Sequence, residues 1–109
     1  ENAQIDMLWL DIEGRWTRNI DINIRFIDEL AQQINNFGIK FGIYTTRSNW
    51  ISIMNNITTF SSNSLWYPHY DNMKSFNDFR AFGGWREPLI KQYIGDVKEC
   101  GVILDRNFA

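Results

Sequence analysis

The chain has 109 residues, of which 44% are hydrophobic, and a formal net charge of −2 at neutral pH. This length suits one domain or part of one, and the hydrophobic content is too high for a disordered chain. The weak negative charge argues against a nucleic-acid partner. No apolar run approaches the ~20 residues that would cross a membrane. The single cysteine, Cys100, is either a buried thiol or half of a disulfide bridge whose partner lies elsewhere.

The first predicted element is an apolar strand, Met7 to Gly14, that ends in two acids. Because side chains alternate along a strand, Asp11 and Glu13 point to the same side, with backbone positions about 6.5–7 Å apart. Unpaired charge is costly to bury, so these acids belong at the strand end, facing water or a ligand. The pattern indicates either a catalytic carboxylate pair at the mouth of a parallel sheet or a strand that runs into an acidic turn.

A helix is predicted after a short polar connection. Apolar residues recur at three- and four-residue steps from Ile24 to Phe37, which is the spacing of one helical face. Asp21 or Asn23 can cap the start of this helix, and Gly38 is placed to end it.

Two further elements complete the first half of the chain. Residues 39–46 are rich in β-branched and aromatic side chains and predict a second strand. Ser48 can cap a second helix, which carries Trp50, Ile53 and Met54. A strand, a helix and a strand joined by short links form a βαβ unit, whose strands run parallel.

The second half is predicted to contain short strands and little helix. Strands are expected at residues 65–67, 89–94 and 102–104, with a turn signal at Gly95–Asp96. Residues 75–82 are predicted to hold one or two helical turns.

The predicted elements define an α/β fold with about five parallel strands and two main helices. A closed barrel needs about eight strands, and five strands alone would leave two edges and an inner face uncovered. The chain begins at Glu1 without a signal peptide, so we expect a processed or excised piece. Residues 1–109 are therefore predicted to be the second, C-terminal part of an irregular (β/α) TIM-like barrel, with the missing strands before Glu1.

Several short motifs follow one another in a fixed order. They are LDIEG at 10–14, Trp16, GIYT at 42–45, Trp50, LWY at 65–67, QY at 92–93 and LDRN at 104–107. Their order resembles glycoside hydrolase family 25, lysozymes that cut the β-1,4 bond of bacterial peptidoglycan after N-acetylmuramic acid. The resemblance covers essentially the whole chain. It implies an irregular barrel of five β/α units followed by three strands without regular helices.

The resemblance also implies roles for matching positions. Glu13 corresponds to the general acid of the family's D-x-E motif, Asp11 to its partner carboxylate, and Asp105 to a further active-site acid. The positions that correspond to the sugar groove are Tyr44, Trp66, Tyr70, Gln92 and Tyr93. The family's first-strand D-x-S motif has no counterpart in this chain.

The same resemblance implies a partner and a setting. The expected partner is the glycan chain of peptidoglycan, with no cofactor or metal, no nucleic acid and no membrane. The expected location is secreted or lysosomal/phagosomal, in antimicrobial defence. The family is thought to use the substrate's own acetamido oxygen, which Asp11 and Asp105 would orient or stabilise.

The chemistry of the carboxylates is consistent with this assignment. Glycoside cleavage needs an acid to protonate the departing oxygen and a negative group near the oxocarbenium-like centre. Two carboxylates on one strand face can divide these roles, because each charge disfavours ionisation of the other and raises one pKa. Glu13 has the longer reach and is predicted to be the acid.

Two other functions remain open at the level of sequence. A glycan-binding protein without catalysis is consistent with a partial barrel. A metal-dependent phosphodiesterase could use Asp11, Glu13 and Asp105 as oxygen ligands for magnesium or calcium, and chelation would abolish its activity. The single histidine, His69, is interpreted as a surface or hydrogen-bonded residue, because no G-x-S-x-G motif supports nucleophilic chemistry.

Overall fold

The computed structural model describes residues 7–99 and 102–109, with side chains described for 7–95 and 107–109. Its elements are β1 (Met7–Ile12), α1 (Ile20–Asn36), β2 (Lys40–Thr45), α2 (Arg47–Met54), β3 (Ser64–Pro68), β4 (Ile90–Glu99) and β5 (Val102–Phe108). The strands form one sheet in the order β1-β2-β3-β4-β5. The α/β class and the parallel βαβ unit are confirmed. Cys100 lies outside the described residues.

The last strand runs antiparallel to its neighbour, so the expectation of five parallel strands is wrong. The pairs β1–β2, β2–β3 and β3–β4 are parallel, whereas β4–β5 is antiparallel. The two residues between Glu99 and Val102 are far fewer than the dozen or so that a parallel crossover requires. The predicted turn at Gly95–Asp96 is also wrong, because β4 continues through it with register shifts on both sides of Ile94. Such irregularities add local twist without ending a strand.

Both helices begin earlier than predicted because other residues cap them. The side chains of Asn19 and Thr46 accept hydrogen bonds from the backbone N–H three residues further on, at 3.2 Å and 3.1 Å. The predicted caps Asp21, Asn23 and Ser48 therefore lie inside the first turns. Asn23 is instead buried, and its side-chain amide donates to backbone oxygens before α1 and at the end of α2.

One face of the sheet packs against the two helices and forms the core. Leu10 and Ile12 of β1 and Ile43 of β2 share a buried cluster with Ile27 of α1 and Trp50 of α2. Apolar side chains at every second strand position thus meet the apolar stripe of each helix. The opposite face of the same strands remains available for a site.

Residues 69–89 form a long loop without the helical turns predicted for 75–82. Phe76, Phe79 and Phe82 recur at three-residue steps, which imitates one face of a helix. They pack instead against other aromatic rings: Phe76 on Phe108, Phe79 on Tyr67 and Phe82 on Trp85, with ring centroids 4.9, 5.3 and 5.4 Å apart, and Phe79 also contacts Phe82 at 5.8 Å. Tertiary packing here overrides the local pattern.

The described strands form an open sheet, so closure into a barrel stays a prediction. β1 and β5 lie at its two edges. On the edge strand β1, Leu8 is 47% exposed although Leu10 and Ile12, on the same face, are buried. Among the described helices, none combines the length and apolar character needed to cross a membrane.

We expect the 109-residue chain on its own to associate with itself, because an uncovered edge strand with exposed apolar side chains favours pairing between copies. Sedimentation velocity should show oligomers, and Leu8→Lys should shift them toward monomer by placing a charge at the β1 edge. An unaltered chain that is monodisperse, monomeric and cooperatively unfolding would contradict this expectation.

Candidate active site

The carboxylate pair lies at the carboxyl end of β1, on the sheet face opposite the helices. Asp11 and Glu13 are both exposed. In the strand register Asp11 lies beside Tyr44 of β2, and Tyr44 lies beside Trp66 of β3. Ligands of parallel α/β sheets bind at the carboxyl ends of the strands, which is where this cluster lies.

Aromatic rings cover the sheet next to the carboxylates. We call Trp9, Tyr44, Trp66 and Tyr70 the aromatic face. The ring centroids of Trp9 and Trp66 lie 5.5 Å apart, and those of Tyr44 and Trp66 lie 4.7 Å apart, both edge to face. Gly42 pairs with Trp9 in the register, and a Cβ atom there would overlap the Trp9 ring. The glycine therefore allows the indole of Trp9 to lie across β2.

Gln92 joins two of these rings. Its side-chain oxygen Oε1 accepts hydrogen bonds from the hydroxyls of Tyr44 at 2.6 Å and Tyr70 at 2.8 Å. Gln92 is 4% exposed, whereas Tyr70 is 60% exposed. The ring of Tyr70 also lies directly over Gly95, where a Cβ atom would come within 2.6 Å of it. The glutamine thus fixes the position of an otherwise exposed aromatic ring.

Asn107 of β5 extends the site on its far side. It pairs with Gln92 in the β4–β5 register, and its Oδ1 accepts a hydrogen bond from Trp66 Nε1 at 2.9 Å. Asp105 belongs to β5 by its backbone, and its side chain lies outside the described residues. Its predicted role as a further acid stays a prediction.

The two acids differ in their electrostatic environment. Although Glu13 is largely exposed, partial burial of its carboxyl group raises its pKa above its ordinary value, and a side-chain hydrogen bond to Asp11 and the charge of Asp11 raise it further. Burial also raises the pKa of Tyr44, and the neighbouring Tyr70, Glu13 and Asp11 add to that effect. The site therefore favours a neutral Glu13 beside Asp11, and a neutral Tyr44.

The predicted groove residues are brought together with one exception. Tyr44, Trp66, Tyr70 and Gln92 contact one another as described, whereas Tyr93 is buried with Lys74 Nζ 5.9 Å from its ring centroid. Tyr93 therefore does not belong to the aromatic face.

Two residues near the carboxylates were not predicted from the sequence as site residues: Trp9 of the aromatic face and Asn107 of β5. Trp9 lies in an apolar run that looks like core, and Asn107 stands in the LDRN motif at 104–107 without an assigned role. Strand alternation provides the missing signal for Trp9, because it precedes Asp11 by two residues and shares its face. No comparable local signal identifies Asn107, whose place depends on the antiparallel pairing of β5.

A second polar cluster lies behind β4. We call it the Lys91 cluster: Lys91, His69, Asp71, Asp78 and the backbone oxygen of Ser75. Lys91 Nζ lies 2.9 Å from an Asp71 carboxylate oxygen, 2.8 Å from Asp78 Oδ1 and 3.0 Å from Ser75 O. His69 Nδ1 lies 2.6 Å from Asp78 Oδ2. This histidine is exposed and hydrogen-bonded, as the sequence indicated.

The charges of this cluster stabilise one another. Hydrogen bonding to Lys91 lowers the pKa of Asp71. Burial pushes the pKa of Asp78 upward, but hydrogen bonds from Lys91, His69 and Tyr67 outweigh it and hold that pKa below its ordinary value. Burial likewise disfavours charged Lys91, and its hydrogen bonds to both aspartates raise its pKa nonetheless.

The spacing of His69, Asp71 and Asp78 would suit a metal ion, since their ligand atoms lie within 4.8 Å of one another. The ammonium group of Lys91, however, already supplies a cation to both carboxylates at hydrogen-bond distance. We therefore interpret the group as an ion-pair network rather than a metal centre.

Comparison with known proteins defines the class. A sequence model of the family described as Lysozyme-like protein 1 matches residues 1–93. The chain is 43% identical to "Probable GH family 25 lysozyme 4" of Dictyostelium discoideum over 98% of its own length and 51% of that protein. It is 37% identical to "Counting factor 50" of the same organism, covering 99% of this chain and 37% of that one.

A solved structure shows the same fold. The muramidase from Acremonium alcalophilum superposes with a TM-score of 0.73 at 21% identity, covering 92% of this chain and 49% of that one. The chain thus spans about half the length of the lysozyme and of the muramidase, and 37% of the length of the counting factor. It belongs to the lysozyme-like protein family, with glycoside hydrolase family 25 lysozymes among its relatives.

Proposed function

We propose that the chain is the C-terminal part of a lysozyme-like glycosidase that cleaves the β-1,4 bonds of peptidoglycan. The observation that carries this proposal is the pair Asp11 and Glu13, in which the pKa of Glu13 is raised by burial and by Asp11. A carboxyl group that keeps its proton at higher pH, with a second carboxylate beside it, is the arrangement that glycoside hydrolysis requires. The lysozyme and muramidase relatives support the same class.

In this mechanism Glu13 donates its proton to the oxygen of the leaving sugar. The carboxylate of Asp11 stabilises the positive charge that develops at the sugar ring, or orients the acetamido group that attacks it. Asp105 is proposed to assist from β5. No metal or cofactor takes part in these steps.

The aromatic face is proposed to hold the glycan. Sugar rings present flat C–H surfaces that suit Trp and Tyr rings, while their hydroxyls can meet the polar edges of the same side chains. Trp9, Tyr44 and Trp66 provide a continuous row of rings next to the acids. A secreted or lysosomal location and a role in antimicrobial defence are part of this proposal, as the family resemblance implies.

The proposal is tested with purified bacterial peptidoglycan. The full-length gene product that carries this segment should release new reducing ends, with N-acetylmuramic acid at the cut. Release should continue in the presence of a chelator, which separates a carboxylate mechanism from a metal-dependent hydrolase. Binding to peptidoglycan with no release of reducing ends would overturn the enzymatic proposal.

That last outcome corresponds to the second candidate, a glycan-binding protein without catalysis. The similarity to "Counting factor 50", whose name specifies no glycosidase, favours keeping this alternative. The same aromatic face would bind the glycan, and Glu13 would then be dispensable. Identical peptidoglycan binding by the unaltered protein and by Glu13→Gln, with no turnover by either, would support it.

A further inference from the structure

Strand β4 carries different chemistry on its two sides. Gln92 lies on the side of the aromatic face and accepts hydrogen bonds from Tyr44 and Tyr70. Lys91, its neighbour in the strand, lies in the cluster behind the sheet and is 0% exposed. Successive side chains of a strand point to opposite faces, so one short segment connects the site to the buried lysine.

The loop after β3 lies along β4, and its residues also point alternately to the aromatic face and to the Lys91 cluster. The backbone N–H of His69 donates to Gln92 O at 2.9 Å, and that of Asn72 donates to Tyr93 O at 3.1 Å. Between these two anchors Tyr70 reaches Gln92 on one side, while Asp71 reaches Lys91 on the other. The exposed aromatic ring and the buried ion pair therefore belong to adjacent residues.

Lys91 holds this loop at three points. Its ammonium group contacts Asp71, Ser75 and Asp78, at 2.9, 3.0 and 2.8 Å. A buried ammonium with hydrogen bonds to charged partners is costly to release, so the cluster restrains the loop between these residues. Tyr70 is 60% exposed, with a hydrogen bond to Gln92 and its ring over Gly95, so the backbone of this loop helps to set where the ring lies.

We propose that Lys91 is a positioning residue for glycan binding, which acts through Asp71 and the loop to hold Tyr70 on the aromatic face. This inference rests on the proposed function, because it assigns the lysine a part in binding the same glycan. Lys91 points to the side of β4 away from the aromatic face and from the pair Asp11 and Glu13. Its effect is expected in affinity rather than in the proton transfer itself.

The first measurement is amide hydrogen exchange in the full-length gene product that carries this segment. Lys91→Met and the milder Asp71→Asn should speed exchange at His69 and Asn72, relative to the amides of α1 in the same sample. Normalising to α1 removes any general loss of stability. Lys40→Met, a change of an exposed lysine at the start of β2, is the matched control and should leave the loop amides unchanged.

The second measurement is peptidoglycan cleavage by the full-length gene product. Asp71→Asn should raise KM roughly 3- to 10-fold, the loss expected for one misplaced aromatic contact, with kcat unchanged. A purely structural role would lower the active fraction, and hence kcat, without moving KM. In a Tyr70→Ala background the same Asp71→Asn change should add no further loss, because the ring through which it acts is gone.

The outcomes separate the two ideas. Unaltered exchange at His69 and Asn72 in both variants, or a KM effect that persists in Tyr70→Ala, would overturn the positioning role while leaving the proposed function intact. Failure of the unaltered protein to bind peptidoglycan at all would overturn the proposed function and the glycan role together. The exchange data would then still decide whether Lys91 restrains the loop.

Discussion

Glu13→Gln is expected to abolish cleavage of peptidoglycan while the fold and the glycan affinity remain. The substitution keeps the shape and hydrogen-bonding capacity of the side chain but cannot supply a proton to the leaving oxygen. General acid catalysis contributes on the order of 10²–10⁴-fold, so clearing of a bacterial wall suspension should slow by about that factor. Because Glu13 is exposed, the change should cost little stability.

Two further variants give this result its meaning. Glu29→Gln, which alters an exposed acid on α1, is the matched control and should keep the full rate. Asp11→Asn should also slow cleavage, because it removes negative charge near the developing cation. Clearing by Glu13→Gln at close to the unaltered rate would remove Glu13 from the catalytic role.

The pH dependence follows from the same pair. Glu13 is active when protonated, and burial and Asp11 raise its pKa above the ordinary 4.5. The rate should therefore fall as pH rises through this raised pKa. Asp11→Asn removes the charge that opposes ionisation of Glu13, so the alkaline limb of kcat/KM should move to lower pH. If the alkaline limb does not move, the charge of Asp11 does not influence the ionisation of Glu13.

Lys91→Met is expected to cause the largest loss of stability. Lys91 is 0% exposed, and its removal leaves two carboxylates close together without their cation. Breaking a buried ion pair from one side typically costs about 3 kcal/mol or more of the free energy of unfolding. That cost corresponds to a fall in Tm of roughly 10–20 °C for a chain of this size.

Urea unfolding followed by tryptophan fluorescence measures this loss, and Lys40→Met provides the matched control. The pH dependence adds a check on the cause. The pKa values of Asp71 and Asp78 are lowered, so their contribution is present above the ordinary Asp pKa of 3.8 and is lost as pH falls through their folded values. The raised pKa of Lys91 means that its contribution is lost only above its ordinary 10.5. In Lys91→Met the free energy of unfolding should therefore fall less steeply as the pH is lowered. An unchanged dependence on acid pH would contradict this account.

Much of the fold could be predicted from the sequence where short-range patterns decide it. The apolar run of β1, the helical spacing of α1 and the β-branched run of β2 each define their element locally. The orientation of β5 could also have been predicted, since even the seven residues between the predicted strands at 89–94 and 102–104 are too few for a parallel crossover.

The Lys91 cluster lay beyond sequence reasoning for a different reason. Within LIKQYI a lysine looks like a residue of the solvent face, and nothing local indicates its burial. Its partners Asp71, Ser75 and Asp78 are 13 to 20 residues away in a loop that was predicted as partly helical. The carboxylate pair was easier to predict, because strand alternation alone puts Asp11 and Glu13 on one side.

The two hydrogen bonds at Gln92 have a consequence for what the site can recognise. Its carbonyl oxygen accepts hydrogen bonds from the hydroxyls of Tyr44 and Tyr70. Because each hydroxyl has only one proton to donate, both can meet a ligand only as hydrogen-bond acceptors. The raised pKa of Tyr44 keeps it neutral well into alkaline solution. Such a surface suits sugar hydroxyls and amide N–H groups, which bring their own protons, and it offers little to phosphates or carboxylates, which bring none.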